Sequence, residues 1–340
     1  MTTSGTYVFT VTRDDIIREA MLNIGRLGQT ESPTAQETTD CARKLNMLVK
    51  QWMAQWDFAP GLKMWTRKRA DLFLSSSKYQ YALGPTGDNW AAGVTSNANL
   101  NFQSNTLTAV TASGSAVLNV GSSNVVDFTV GDYVVVQLSS GDIFSSTIST
   151  LGSSTVTMAS ALPSGVTAAS GAYVYNYTTK GQRPLEIVTA ILRDSNNNDT
   201  PLNYLTLQAY ENLPNKTAPT FLSDPTAIYY EPQIASTVAS SNGQLYLDCG
   251  GAQDVTKQIH VVYLQAIQDF NNPLDNPEYP QEWYMALCWG LTKQIAPMFN
   301  LPFTPDMDKN YMEAVAMARQ ANTETTQVYF TPYSASPYEP

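Results

Sequence analysis

The sequence predicts an α+β fold: a helical-bundle core with antiparallel strands, an inserted small all-β barrel or sandwich, and an extended C-terminal tail. Three observations carry this expectation. Apolar residues recur at helical spacing near both ends of the chain. Residues 91–178 hold only three charged side chains, Asp127, Asp132 and Asp142, among short β-branched runs. The chain closes on "VYFTPYSASPYEP", in which aromatic rings alternate with prolines that cannot sit inside a helix.

Thr12 stands three before Asp15, a capping-box start, and Ile16, Ile17, Ala20, Met21, Ile24 and Leu27 follow on one helical stripe. Gly25 and Gly28 are its stop signals. Ser32-Pro33 reads as a cap followed by proline at the first position of a second helix, with a stripe of Cys41, Leu45, Leu48, Trp52 and Trp56. The short link makes the two a helical hairpin, and Trp52, Trp56 and Trp65 cluster near its far end in a core or subunit-interface role. "LFLSSSKYQYALG" is a strand running into a turn at Gly84-Pro85. Residues 1–90 thus form the first part of the core and 91–178 an inserted β module. Residues 179–323 form the second part, and 324–340 the tail.

In the second part, "RPLEIVTAILRD", "TAIYYEPQ", "QLYLDC" and "KQIHVVYLQAIQDF" read as strands and "LTLQAYENLPN" as a short helix. Asp194, Asn196 and Asn198 have calcium-loop spacing, but Asp199 takes the glycine position and Leu205 that of the bidentate glutamate, so a hairpin turn is expected. A helix starts at Pro280 with Trp283, Leu287, Leu291 and Ile295 on one stripe and closes at Pro297. A last helix has Thr304 as cap and Pro305 at its first position.

The chain has 340 residues, net charge −10 and 14% charged residues. That balance favours order, and it opposes non-specific wrapping of nucleic acid, which runs on neutralised phosphates. Cys41, Cys249 and Cys288 have no disulfide pattern; Cys41 and Cys288 are expected as buried free thiols. The first residues lack a basic region before an apolar run, and no stretch reaches the roughly 20 apolar residues of a membrane span. The expectation is a soluble chain without signal peptide or membrane anchor, made in a cytoplasm.

Chemistry is sparse. His260 is the single histidine, set between Ile259 and Val261 in an apolar strand, so a structural role is expected. No serine-nucleophile elbow, phosphate loop or multi-histidine zinc motif occurs. Glu278 and Glu282 suit the start of a helix, where acids favour the dipole. No catalytic residue, cofactor or metal is expected. Lys63, Arg67, Lys68 and Arg69, in "KMWTRKRA", form the one basic cluster; it can meet a DNA backbone, pair with acids of a neighbouring subunit, or face solvent.

The segment "DDIIREAMLNIGRLGQTESPTAQETTDCARKLNMLVKQWMAQWD" resembles the N-terminal helix pair of the head-to-tail adaptor proteins of short-tailed bacteriophages. The matching residues are Ala20, Ile24, Gly25, Ala42, Leu45, Asn46, Met47, Leu48, Trp52 and Trp65. The resemblance continues at "RPLEIVTAILRD", "QAYENLPNK", "PTAIYYEP" and "YPQEWYMALCWGLTKQIAPMF", as in long forms carrying an extra β module. It implies a structural virion protein at the head-tail junction. Copies would form a homo-oligomeric, dodecameric ring beneath the portal protein, extend the channel through which DNA transiently passes, close the filled head, and hold the tail nozzle and tail fibres or spikes. It also implies that Tyr329, Phe330, Tyr333 and Tyr338 in the C-terminal extension bind the portal or a neighbouring subunit. Burying each such ring is worth roughly 2–3 kcal/mol, and an extended proline-rich segment loses little entropy on docking. Two alternatives stand beside this reading: a receptor- or glycan-binding phage tail protein that reads through the β module, and a cell-wall hydrolase using a carboxylate pair.

Overall fold

A computed structural model describes residues 9–54, 66–93, 101–232, 242–278 and 280–321. Among them are five α-helices: α1 (Arg13–Asn23), α2 (Ala35–Ala54), α3 (Leu207–Glu211), α4 (Tyr284–Ile295) and α5 (Pro305–Ala321). They stand against 18 strands in four sheets. The chain divides into two compact units. One joins residues 1–65 to 267–340, and the other is residues 66–266.

The first unit is helical and takes its helices from both ends of the chain. α1 opens on the expected box: Thr12 Oγ1 donates to Asp15 Oδ2 at 2.6 Å and accepts from the Asp15 N–H at 3.3 Å. It closes where Gly25 turns left-handed (φ 71°), with Gly25 N–H donating to the Leu22 carbonyl and Arg26 N–H to that of Met21. α2 starts two residues later than Ser32-Pro33 implies. Thr34 is the cap, because Glu37 three residues on reaches back to the Thr34 N–H at 2.9 Å while Thr34 Oγ1 accepts from Glu37 N–H at 3.3 Å. α4 packs against α1, α2 and α5, and is correspondingly apolar almost all round, burying Tyr284, Ala286, Leu287, Cys288, Leu291 and Ile295. Gly290 is the point of closest approach: a Cβ there would lie 2.8 Å from Trp52 Cζ2 and 3.0 Å from Leu48 Cδ2. The Trp52 and Trp283 rings meet beside it, with centroids 5.9 Å apart. Cys41 and Cys288 are buried free thiols, and burial pushes the first up to about 11 and the second to about 12. Trp56 and Trp65 lie outside the described residues.

The second unit is β. One six-stranded sheet has the order β10 (Thr179–Lys180), β3 (Trp90–Ala92), β1 (Arg67–Phe73), β18 (Gln258–Gln265), β11 (Pro184–Arg193), β12 (Asp199–Pro201). It faces a four-stranded sheet ordered β13 (Asn203–Tyr204), β15 (Ala227–Glu231), β16 (Gly243–Leu247), β2 (Gln80–Leu83). Strand alternation sends Ala70, Leu72, Ile259, Val261 and Tyr263 from the first sheet to meet Tyr81, Leu83, Ile228, Leu245 and Leu247 from the second in one buried core. A parallel pair, β14 (Leu222–Ser223) with β17 (Gly251–Ala252), adds a small fourth sheet.

The remaining sheet runs β4 (Gln103–Thr106), β9 (Tyr173–Tyr177), β6 (Tyr133–Gln137), β7 (Ile143–Leu151), β8 (Thr155–Met158), β5 (Val117–Asn119). It is a curled half-barrel. Just past β4, Thr108 N–H donates to the Asn119 carbonyl at the end of β5, at 2.8 Å. Leu118, Val120, Val134, Val136, Val156 and Val174 fill its concave side. Its other face sends Val135, Tyr175 and Tyr177 against Phe73 and Ala91.

These findings overturn the expected fold class. The molecule is mostly β, not a helical-bundle core with a small β insert. The segments 66–93 and 179–266 do not pack strands onto helices; they pair with each other across the chain and close a sandwich core of their own. A helix's long stripe is legible in one segment, whereas a strand's partner is not.

Candidate functional site

Strand alternation divides the basic cluster. On β1, Arg67, Arg69, Asp71 and Phe73 share the face turned away from the sandwich core, and Lys68 lies on the other. Arg67 and Lys68 each have a bonding partner. Arg69 is exposed and stands at a cleft of about 510 Å3 in the β unit. Lys63 of the cluster, and Tyr329, Phe330, Tyr333 and Tyr338 of the tail, lie outside the described residues.

The floor of the cleft is the outward face of β1 and β18. Register places Asp71 directly opposite His260. His260 Nδ1 donates to Asp71 Oδ1 at 2.9 Å, across 189 residues of sequence. Asn101 Nδ2 donates to the other carboxylate oxygen, Oδ2, at 2.7 Å. Asp71 is 4% exposed, so both donors matter: a buried carboxylate that loses a partner forfeits about 1–3 kcal/mol or more. Engagement of Nδ1 leaves Nε2 as the ring's remaining polar atom at the cleft.

One wall is the β11–β12 hairpin. Arg193 clamps Asp199 through Nε at 2.7 Å and Nη2 at 2.9 Å. That pairing holds the Asp199 carboxyl below its ordinary range and raises the guanidinium. Between them, Asp194 closes the turn: its Oδ1 accepts from the Asn196 and Asn198 N–H groups, and its Oδ2 from Asn198 Nδ2. Those bonds, the Asn198 side chain first, hold Asp194 low. Asn197 takes the left-handed conformation (φ 62°) that the tight turn needs. This is the hairpin turn expected in place of a calcium loop; among the described residues no cluster has metal-binding composition.

The opposite wall comes from the half-barrel. Phe102, Ser104, Tyr173 and Tyr175 reach the cleft from β4, the residues before it, and β9. Tyr175 is fixed by its hydroxyl donating to the Thr256 carbonyl at 3.3 Å and by a T-shaped contact with Phe102. Tyr173 stacks on Tyr175 with centroids 5.9 Å apart and remains half-buried. Burial raises the Tyr175 hydroxyl far above its ordinary range, so it stays a neutral donor.

Sequence reasoning placed His260 on a strand and Arg69 in a cluster, but it had no means to join them. Asp71 and Asn101 were missed. The one available signal was the alternation in "RKRADLF", which puts Arg69 and Asp71 on one face of a strand. His260 has no hydroxyl nucleophile bonded to it; among the described residues its ring bond is the one to Asp71.

No protein-family model matches the chain, and no curated protein matches it.

Proposed function

We propose that this chain is a structural, non-catalytic head-to-tail adaptor of a short-tailed bacteriophage. Copies of it ring the portal, lengthen the DNA channel of the filled head, and give the tail nozzle and fibres their attachment. One observation carries the reading. The two segments at opposite ends of the chain that bear the resemblance, 14–57 and 279–299, fold against each other over their described residues in a single helical unit. Six of the motif residues pack it: Leu48 and Trp52 meet Gly290, and Ala20, Ile24, Ala42 and Leu45 are buried. Asn46 of the same motif clamps the returning chain, donating to the Phe270 carbonyl at 3.3 Å and accepting from its N–H at 2.9 Å.

The surface of that unit agrees with a subunit that meets neighbours. Met47 is 59% exposed, Met285 59%, Met312 57% and Met317 68%. Flexible thioethers are over-used where a surface must adapt to a partner.

The test is to mix the purified full-length chain with assembled portal and image the complex by negative stain, with sedimentation velocity in parallel. A second ring stacked on one end of the portal is expected. A portal that stays bare while the chain sediments as a monomer would overturn the proposal.

A further inference from the structure

We propose that the cleft between the β1–β18–β11 sheet and the half-barrel binds an uncharged saccharide, one to two sugar rings long. Its size falls in the range of small-ligand sites, about 300–1,000 Å3, with about 510 Å3 here. Its chemistry is that of a polyhydroxylated ligand. Donors and acceptors ring the space, from Asn101, Ser104, Ser195, Asn197, the Arg69 guanidinium and His260. Phe102 and the half-buried Tyr173 supply an apolar wall against which the C–H face of a sugar can lie.

Charge separates a neutral sugar from a phosphate or a nucleic acid. The lining cations Arg69 and Arg193 are balanced by the carboxylates Asp71 and Asp194, and Arg193 is already clamped by a further carboxylate, Asp199. A polyanion therefore gains no net attraction there. Most of the polar wall is also held in place before any ligand arrives. Asp71 fixes the His260 ring and the Asn101 amide, Asp194 fixes the 194–198 turn, and Asp199 fixes Arg193. Such preorganisation lowers the entropic cost of binding. Arg69 differs from the rest: no hydrogen bond, ion pair or ring contact engages its side chain among the described residues, so its guanidinium donors are available to ligand oxygens.

This proposal stands apart from the adaptor reading, since the cleft lies wholly within the β unit and needs no second copy. The test is saturation-transfer NMR on the full-length chain with a panel of neutral di- and trisaccharides built from hexoses, 6-deoxyhexoses and N-acetylhexosamines. Sialyllactose and a short single-stranded DNA oligonucleotide serve as anionic arms. At least one neutral saccharide is expected to give transfer, and both anionic arms to give less. Arg69→Ala and Tyr173→Ala are each expected to weaken that binding about tenfold or more. Arg69 is exposed, so its variant keeps the fold, as a thermal melt checks. Absence of transfer to every neutral saccharide, stronger binding of either anionic arm, or binding indifferent to both substitutions would each overturn the proposal.

Discussion

Gly290 illustrates how one residue type can be dictated by a contact its neighbours in sequence do not reveal. In an isolated helix, alanine at this position would gain about 1 kcal/mol over glycine. Here its methyl would press on Trp52, which is itself wedged on Trp283 with 2% exposure. Overpacking of that kind costs about 1–3 kcal/mol, and a buried indole cannot swing aside. Gly290→Ala is therefore expected to lower the urea midpoint with an unchanged denaturant slope, despite the better helix former. Asp71 makes the same point for polarity. Its type is legible in the sequence, but its purpose, holding His260 and Asn101, exists only once β1 and β18 are in register.

Helix ends were the most legible elements, because a cap and its partner sit three residues apart. Asp15 is held below its ordinary value of 3.8 by the Thr12 hydroxyl and then by the Thr12 N–H. A carboxylate whose folded pKa is depressed adds stability above the unfolded pKa and loses it as pH falls through the folded one. Thr12→Ala is thus expected to cost about 1 kcal/mol at pH near 7. The gap from wild type should narrow below pH of about 4 as Asp15 protonates. Urea titrations at neutral pH and near pH of about 3 check this; a gap independent of pH would place the cap's worth elsewhere. The second helix shows how a start signal can mislead by two residues. Ser32-Pro33 has suitable residue types, but only Thr34 has a glutamate at the distance needed to close the reciprocal bonds.

For the whole molecule, the helical unit and the β unit make different demands on the chain. The helical unit is built from both ends and receives the β unit as a single excursion from Thr66 to Ala266. The tail bearing Tyr329, Phe330, Tyr333 and Tyr338 follows α5, and on the adaptor reading its work is done on the portal or a neighbouring copy. Removing residues 328–340 is therefore expected to leave the thermal melt of the free chain unchanged and to reduce co-sedimentation with portal. A truncated chain that melts at a lower temperature, or still binds portal fully, would contradict that role.

The sequence by itself determined what is local. It specified the helices of both ends, the caps of α1 and α5 and the glycine stop of α1, the half-barrel's short strands between small polar turns, the turn at 194–198, and the burial of Cys41 and Cys288. These rest on interactions within a few residues or on a periodicity that one segment carries whole. Only the tertiary structure decided that strands outnumber helices in the architecture, that 67–92 pairs with 184–265 in a sandwich, and that Arg69, Asp71, Asn101, His260 and Tyr173 border one cleft. Each of those outcomes depends on register between segments far apart in the chain. A strand's own residues record which face is buried, but not the strand that will cover it.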